Sequence, residues 1–392
     1  MPNAYSPITL RALQLRNRFV KTATYEGMCD NGRPTQKLID FHARVAKGQI
    51  GLTTVAYGAV NPTGRTHQDQ MYMHEGVIPD LKKLTIAVHN NGGKASIQLT
   101  HCGFFTKNTS VPGKRPLAPS KVFNEYGALS GIVFSKAMTL KDLEQTSNDF
   151  ANAASIAQKA GFDAVEIHMG HGYLLSQFLS PKINKRKDNY GGSLENRLRF
   201  PLEVIAKVRQ TVGEGFPIIC KINLSDDFKG GLVLEEAVQV AINLEKAGVD
   251  ALVMSGGYTS KTPFYLLRGE VPLKGMMSVE PQLTQKLAVA LFGPFIIKKY
   301  PFTENFFLQQ AKQIRAAVKM PLIYLGGVVS KQGIEDIMSA GFDMIAIGRA
   351  LIHDPDFILN IQSGKTKISP CNHCNQCIVE MDKNGVRCVL NH

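Results

Sequence analysis

A phrase that occurs three times restricts the possible folds of this chain more than any other feature. It reads AGFDAVEIH from residue 160, AGVDALVMSGG from 247 and AGFDMIAIG from 340. In each copy a helix-like segment ends in Ala-Gly, where glycine suits the left-handed position after a helix. An Asp then leads into a short apolar run of strand length. The three copies therefore predict three helix-to-strand joints of one kind.

Five further apolar runs of strand length raise the number of predicted strands to eight. They stand at residues 17–23, 51–58, 94–99, 216–223 and 320–327. Most of them lack strict alternation, as expected for parallel strands that are covered on both faces. Amphipathic stretches such as DFANAASIAQKAG and LEEAVQVAINLEKAG lie between the runs. This order predicts an α/β protein with a (β/α)8 TIM barrel, long βα loops and a Cys-containing C-terminal tail.

A doubly wound open sheet is the main alternative to the barrel. Its dinucleotide fingerprint, G-x-G-x-x-G after a strand, follows none of the predicted strands, and GHGYLL from residue 170 lacks the third glycine. The long connections at 100–145, 169–200 and 255–310 all follow the C-terminal ends of strands. In a barrel those ends form the catalytic face.

Composition excludes several classes of protein. The chain has 392 residues, of which 44% are apolar, and this excludes disorder, collagen-like repeats and disulfide miniproteins. There is no apolar run of 18 residues and no signal-like start, so we expect a cytoplasmic protein without a membrane partner. The net charge is +13, but the Lys and Arg residues are spread along the chain, which favours a generic basic surface over a nucleic-acid site. Such a surface suits anionic ligands such as nucleotide phosphates.

Polar side chains accumulate where the predicted strands end. These side chains are Gln98 and His101 at strand three, His168, His171 and Tyr173 at strand four, and Lys221 within strand five. Other interpretations are open at this point: the histidines could bind a metal or cap a helix, the tyrosine could be structural, and the lysine could extend its head group to a barrel end.

Two further strand ends carry glycines. Gly326-Gly327 follows the seventh strand and Gly348-Arg349 follows the eighth, which is where barrels usually bind phosphate. Free backbone N–H groups and a guanidinium can bind such an anion together. Glycine after a strand is also common in plain turns, but the two sites together favour a phosphate-bearing cofactor.

Six motifs resemble one known family. They are NRFV from residue 17, QLTH from 98, HMGHGYLLSQFLSP from 168, DNYGGSLENRLRF from 188, GG at 326 and IGRALIHDPDF from 347. The chain is similar over nearly its whole length to flavin-dependent ene reductases of the old yellow enzyme class. That class includes the barrel domains of 2,4-dienoyl-CoA reductase and trimethylamine dehydrogenase.

The resemblance implies FMN bound at the C-terminal mouth of the barrel. The positions that match the family's flavin-binding residues are Ala23, Gly58, Gln98 and Lys221 for the isoalloxazine and Gly326, Gly327, Gly348 and Arg349 for the phosphate. A fixed cation such as Lys221 would stabilise the negative charge of reduced flavin and raise its potential.

The resemblance also implies catalytic roles. His168 and His171 match the pair that holds a substrate carbonyl oxygen, and Tyr173 matches the proton donor. Imidazole N–H groups can stabilise negative charge on that oxygen, and a tyrosine of ordinary pKa is protonated at neutral pH. Hydride transfer from flavin to an enone, with Tyr173 as proton donor, is the implied reaction.

The chain departs from the family pattern in three places. Ala23, Thr24 and Tyr25 replace the residues common after strand one, Phe104 replaces a frequent Arg, and Lys221 replaces the Arg of strand five. These departures leave the flavin potential and the substrate shape open.

The last 22 residues hold four of the seven cysteines, namely Cys371, Cys374, Cys377 and Cys388. Close spacing of this kind is more typical of an iron-sulfur cluster than of zinc. The two relatives named above ligate a [4Fe-4S] cluster with similar tails, and they continue into nucleotide-binding domains, which we do not expect here. A tail of unoccupied thiols and adventitious zinc are the alternatives to a cluster here.

The sequence therefore predicts an FMN-binding barrel over residues 1–365 and a Cys-rich tail over 366–392 that packs on it. The expected activity is NADH- or NADPH-dependent reduction of activated C=C bonds in small molecules. The alternatives are oxidation of a C–N bond with Cys29 as a candidate flavin link, a metal-dependent hydrolase that uses the two histidines, and a flavin electron carrier.

Overall fold

Eight parallel strands close into a barrel in the computed structural model, which describes residues 3–280 and 282–391. The strands are β1 (Phe19–Lys21), β2 (Leu52–Ala59), β3 (Lys94–Thr100), β4 (Ala164–Met169), β5 (Ile218–Asn223), β6 (Ala251–Ser255), β7 (Leu322–Leu325) and β8 (Met344–Ile347). β8 pairs with β1 in parallel register and closes the barrel. The predicted TIM barrel is confirmed, and each predicted strand overlaps an observed one.

Helices follow the strands, and most of them cover the outside of the barrel. They are α1 (Gln36–Lys47), α2 (Ile78–Asn90), α3 (Leu140–Lys159), α4 (Leu174–Leu179), α5 (Leu194–Val212), α6 (Leu234–Lys246), α7 (Leu273–Val279), α8 (Leu283–Ile296), α9 (Leu308–Ala317), α10 (Lys331–Ser339), α11 (Arg349–His353), α12 (Phe357–Gln362) and α13 (Cys377–Glu380). Short 3-10 turns stand at Pro62–Gly64, Glu75–Val77, Pro112–Lys114 and Ala128–Ser130.

The repeated Ala-Gly phrase forms the helix-to-strand joints that it predicts. Gly161, Gly248 and Gly341 follow α3, α6 and α10 with φ of 85°, 79° and 84°. This left-handed conformation is free of steric cost only for glycine, so it ends each helix and turns the chain toward the next strand.

The barrel interior is apolar at the end opposite the site, and a hairpin closes that end. An antiparallel hairpin of Ile8–Leu10 and Leu13–Leu15 packs its leucines into the same buried cluster as Val20, Leu52 and Ile323. A second, larger cluster fills the space between the barrel and its helices. The closed end and the packed interior leave the C-terminal ends of the strands as the place for a site.

Three long connections build that catalytic face. The connection after β3 contains a short parallel pair, Leu117–Ala118 with Lys136–Ala137, the one after β4 contains α4, and the one after β6 contains α7 and α8. A further antiparallel pair, Cys29–Asp30 with Arg33–Pro34, follows β1. Among the described residues, no helix is both long and apolar enough to cross a membrane.

Candidate active site

His168, His171 and Tyr173 come together at the end of β4. The two imidazole centroids are 4.9 Å apart, and the rings of His168 and Tyr173 are 4.7 Å apart. His171 has a φ of 58°, and its N–H donates to Asn223 Oδ1 at 2.9 Å, which fixes this unusual backbone. The three side chains named from the sequence therefore form one cluster.

Both histidines are neutral hydrogen-bonding groups. Burial lowers the pKa of His168 well below its usual value and that of His171 to about 3. His168 Nδ1 accepts from the N–H of Gly170 at 3.3 Å, so its proton is on Nε2. His171 Nε2 lies 2.7 Å from Ser255 Oγ. A neutral imidazole N–H can donate to a substrate oxygen without adding charge to the site.

Tyr173 stays protonated and has a hydroxyl partner that the sequence analysis missed. Burial raises the pKa of Tyr173 well above its usual value, and its hydroxyl lies 2.8 Å from that of Tyr57. Tyr25, Phe105 and Tyr126 complete a cluster of aromatic rings around this pair. A tyrosine at the end of an apolar strand was the available signal for Tyr57.

A buried ionic network joins the predicted flavin residues. Gln98 Nε2 donates to Glu166 Oε1 at 2.6 Å, and Lys221 Nζ lies 2.9 Å from the same oxygen. All three side chains are buried, and they come from the neighbouring strands β3, β4 and β5. The carboxylate of Glu166 therefore holds both Gln98 and Lys221 in place. A carboxylate within an apolar strand was the signal for Glu166.

A second buried ion pair lies at the end of β1. Lys21 Nζ is 2.5 Å from Glu26 Oε1, and Glu26 also accepts from the N–H of Ala56 at 3.1 Å and faces His42 Nε2 at 3.4 Å. Burial lowers the pKa of Lys21, and the neighbouring carboxylate opposes this change. Ala56 precedes Tyr57, so this pair supports the backbone of the aromatic cluster. The sequence analysis did not single out Lys21 or Glu26.

Bare backbone at the ends of β7 and β8 suits a phosphate. Gly326 and Gly327 have φ of 150° and 82°, which other residues rarely adopt. Within the described residues, the N–H groups of Gly327 and Gly348 donate no hydrogen bond. A Cβ on Gly348 would be in ordinary van der Waals contact with Thr22 Cγ2 at 3.4 Å, whereas one on Gly327 would come within 2.7 Å of Phe306 Cδ1. Free N–H donors of this kind can bind the phosphate group of FMN.

The remaining predicted flavin positions lie next to these groups. Ala23 follows β1 and packs on the aromatic cluster. Gly58 lies in β2 where the register with β3 shifts, and a Cβ there would come within 2.7 Å of Met73 Sδ. Their contacts with a flavin stay a prediction.

The side chain of Arg349 extends toward the tail. Its Nη1 donates to Asn375 Oδ1 and to the carbonyl oxygen of Arg268, both at 2.7 Å. Asn375 in turn donates to the carbonyls of Leu267 and Glu270, so Arg349 helps to fix the tail to the connection after β6. The phosphate role of Arg349 stays a prediction, and the structure adds this second role.

The four tail cysteines line one small cavity. Cys371, Cys374, Cys377 and Cys388 surround it together with Arg349. Within residues 3–280 and 282–391, no set of three or more Cys, His, Asp or Glu side chains is placed to hold a single metal ion. Four thiols around one cavity are a donor set that an iron-sulfur cluster can use, and the cluster itself stays a prediction.

Five histidines with lowered pKa values predict a loss of stability on acidification. Burial lowers the pKa of His67 and His101 to about 4 and that of His171 to about 3, and it also lowers the pKa of His42 and His168. Below about pH 6.5 the unfolded chain binds protons at these residues and the folded chain does not. The free energy of unfolding therefore decreases as the pH is lowered.

We expect urea unfolding to show this fall between pH 7 and pH 5, by up to about 1.4 kcal/mol per pH unit for each histidine. His101→Gln should make the dependence shallower because it removes one of these groups. Equal stability at the two pH values would contradict the prediction.

Comparison with known proteins agrees with this geometry. Residues 3–261 match the NADH:flavin oxidoreductase / NADH oxidase family. A 4,4'-dithiodibutanoate disulfide reductase of Rhodococcus erythropolis is 41% identical over 99% of this chain and 95% of its own length. An NADH oxidase of Thermoanaerobacter brockii is 31% identical over 95% of this chain, which spans 53% of that protein.

The fold has solved counterparts as well. The structure of morphinone reductase in complex with tetrahydroNAD matches with a TM-score of 0.71 and 23% identity, over 95% of this chain and 93% of that one. At this identity the likeness supports the barrel fold, while the family match covers the strands that carry His168 and Lys221 and the segment after β4 that carries Tyr173. The chain therefore belongs to the NADH:flavin oxidoreductase / NADH oxidase family, and it is an NAD(P)H:flavin oxidoreductase with FMN as its cofactor.

Proposed function

We propose that the protein reduces activated C=C bonds of small molecules such as enones. The observation that carries this proposal is the cluster of His168, His171 and Tyr173, which combines two neutral imidazoles with a protonated hydroxyl. When bound and reduced by NAD(P)H, FMN supplies a hydride. The side chains of this chain supply the rest.

The two imidazoles hold the substrate oxygen and Tyr173 delivers a proton. As the β-carbon of an enone accepts hydride, negative charge builds on the carbonyl oxygen, where N–H donors stabilise it. The proton for the α-carbon comes from Tyr173 Oη, whose raised pKa keeps it protonated over the physiological range. The surrounding rings of Tyr25, Phe105 and Tyr126 exclude water from this transfer.

The test is product analysis with 2-cyclohexenone and NADH or NADPH. We expect cyclohexanone in an amount equal to the nicotinamide oxidised. His168→Ala and His171→Ala should both raise the KM and weaken the binding of phenols, because phenolates use the same oxygen site. Nicotinamide oxidation without cyclohexanone, in the absence of oxygen, would contradict the proposal.

A second candidate activity is reduction of a small organic disulfide. The observation that favours this reaction is the name of the disulfide reductase described above, which is 41% identical over 99% of this chain. The balanced step takes a hydride and a proton to the two sulfur atoms, breaks the S–S bond and releases two thiols. The thiolate that leaves the disulfide is a far more stable anion than the enolate formed from an enone, since thiols have a pKa near 8.5. Disulfide reduction therefore needs Tyr173 less.

The two activities can be separated on one pair of proteins. Wild type and Tyr173→Phe are each supplied with 2-cyclohexenone and with 4,4'-dithiodibutanoate, and rates are compared at saturating NADPH. A large loss with the enone and a small one with the disulfide would assign Tyr173 to ene reduction. A wild type that reduces the disulfide and leaves the enone untouched would replace the first candidate by the second.

The structure supports two other reactions less well, namely oxidation of a C–N bond and metal-dependent hydrolysis. Burial raises the pKa of the Cys29 thiol to about 12, so it is protonated and poorly suited to form a covalent flavin link in an amine dehydrogenase. Among the described residues there is no single-ion metal site for a hydrolase. His168 and His171 are thus better assigned to a substrate oxygen.

We also propose that the tail of residues 366–392 holds an iron-sulfur cluster on the FMN-binding barrel of residues 1–365. Cys371, Cys374, Cys377 and Cys388 would be its ligands, since all four line one cavity. The cluster would supply one-electron transfer, and it would tie the tail to the barrel.

Cys374→Ser is expected to lose iron and acid-labile sulfide and to lower the melting temperature, while FMN stays bound. Cys29→Ser is the matched control, because Cys29 lies outside the cavity, and it should keep its iron. Both variants are purified without oxygen and assayed for iron, sulfide and flavin. Wild-type protein that contains neither iron nor zinc, with an unchanged melting temperature for Cys374→Ser, would show that the thiols are unoccupied.

Arg349→Ala is expected to weaken FMN retention, because a charge-assisted contact with phosphate contributes about 1.5–3 kcal/mol. Asn375→Ala is its control, since it removes the tail contact of Arg349 and keeps the guanidinium. Flavin dissociation constants are measured by fluorescence. A loss for Arg349→Ala alone supports phosphate binding, whereas equal losses for both variants would assign Arg349 to anchoring the tail.

A further inference from the structure

Helix α8 is turned so that its apolar side faces outward. Leu283, Leu287, Leu291 and Phe295 recur every four residues and are 70%, 53%, 63% and 88% exposed. Residues at this spacing form one stripe along a helix. Gln285 faces inward, where its Oε1 accepts from Lys107 Nζ at 2.8 Å. A helix on the surface of a globular protein normally has the opposite arrangement.

A second exposed apolar segment borders this stripe. Phe123, Leu129, Val133 and Phe134 are exposed in the connection after β3. Gln282 Nε2 donates to Ser130 Oγ at 3.3 Å, which brings the two segments side by side. Of the 16 exposed large apolar side chains recorded in the described part of the chain, ten lie in 123–134 and 283–296. A concentration of exposed apolar side chains in one region is typical of a binding surface.

Positive charge is concentrated in the same two connections. Residues 100–139 contain five Lys or Arg and one Glu, and residues 256–300 contain six Lys or Arg and two Glu. Their net charge of +8 is most of the chain's +13, because these two connections hold only three of the chain's 32 acidic residues. Lys114, Lys121, Lys136 and Lys274 are among those exposed. The apolar patch therefore has a basic rim.

We propose that this apolar stripe and its basic rim bind the surface of an anionic lipid bilayer. Lipid headgroups attract the lysines, and the interfacial region accepts leucine and phenylalanine side chains. With 14 residues, α8 is about 21 Å long, too short to cross a hydrocarbon core of about 30 Å, so it lies along the surface. The sequence analysis predicts no membrane partner, and the proposed peripheral contact departs from that prediction.

Charge argues for lipid over a second copy of the chain. In a symmetric dimer through this face, each basic rim would approach the other, and like charges destabilise such an interface. An anionic bilayer neutralises the rim and buries the apolar side chains at once. The proposal does not depend on which substrate the site reduces.

The experiment is sedimentation of the FMN-loaded protein with vesicles. One set contains phosphatidylcholine only, and the other contains equal parts of phosphatidylcholine and phosphatidylglycerol. We expect binding to the anionic set, with release as salt rises from about 0.1 M to about 1 M, which shortens the screening length to about 3 Å. Leu287→Asp should lower the bound fraction by about tenfold or more. Ile86→Asp is the matched control, because Ile86 is 55% exposed on α2, and it should bind like wild type.

Three results would overturn the proposal. Wild type could fail to bind anionic vesicles, it could bind both vesicle types equally, or Ile86→Asp could lose as much binding as Leu287→Asp. Light scattering of the same proteins without lipid identifies a second copy as the occupant if wild type is a dimer, Leu287→Asp is a monomer and neither binds vesicles.

Discussion

Replacing Tyr173 by Phe is expected to slow enone reduction by about 10²–10⁴ while flavin reduction by NAD(P)H stays nearly unchanged. The hydroxyl of Tyr173 is the proton source, and burial keeps it protonated beside the hydroxyl of Tyr57 at 2.8 Å. Removing one oxygen atom leaves the ring packing in place. Stopped-flow absorbance resolves the two half-reactions at the flavin band.

Tyr57→Phe provides the comparison for this experiment. It removes the hydrogen-bond partner of Tyr173 and keeps the proton donor, so the loss should be about tenfold or less, as for one neutral hydrogen bond. Equal losses in both half-reactions for Tyr173→Phe would argue for a structural role. A larger loss for Tyr57→Phe than for Tyr173→Phe would make Tyr57 the donor.

Lys21→Met is expected to lower the free energy of unfolding by about 3–5 kcal/mol. Both partners of the Lys21–Glu26 pair are 1% exposed, so this change leaves the Glu26 carboxylate buried without its cation. Adding Glu26→Gln removes that charge and keeps an oxygen for the N–H of Ala56. The double variant should therefore recover much of the lost stability. Denaturant unfolding measures all of these values.

A surface pair controls for the loss of a lysine as such. Lys83 is 68% exposed and lies 3.4 Å from Asp80, so Lys83→Met should change stability by no more than about 1 kcal/mol. If Lys21→Met cost no more than Lys83→Met, the buried pair would be of little importance to the fold. A double variant less stable than Lys21→Met would show that Glu26 is required for another reason.

The fold was predictable because each barrel strand is a separate apolar run with its own boundary. Where predicted and observed ends differ, local backbone geometry explains the difference. The run at 320–327 predicts a strand through its glycines, but β7 ends at Leu325, since Gly326 and Gly327 adopt positive φ. The run at 17–23 shortens to Phe19–Lys21 because the chain then leaves the ladder to form the site.

The site was predictable only where residues are close in sequence. His168, His171 and Tyr173 lie within one motif, and the structure brings them together. Glu166 contacts Gln98 and Lys221 through the register of three strands, which no single stretch of sequence encodes. The direction of Arg349 depends on Asn375, which lies 26 residues further along the chain.

The outward face of α8 shows the same limit. From sequence, LTQKLAVALFGPFI has the apolar content of a buried helix. In the structure Gln285 is the residue that faces inward, where it contacts Lys107, while the leucines face outward. Composition alone cannot tell which side of such a helix faces the protein.

One measurement tests the assignment of FMN chemistry to this site most directly. The purified protein is reduced without oxygen by one equivalent of NADPH or NADH, and then it is mixed with 2-cyclohexenone while the flavin spectrum is followed. We predict bleaching of the flavin band by the nicotinamide, its return on mixing, and one equivalent of cyclohexanone per flavin reoxidised. A protein whose flavin is not bleached by either nicotinamide, or whose reduced flavin is stable to the enone, would contradict the account.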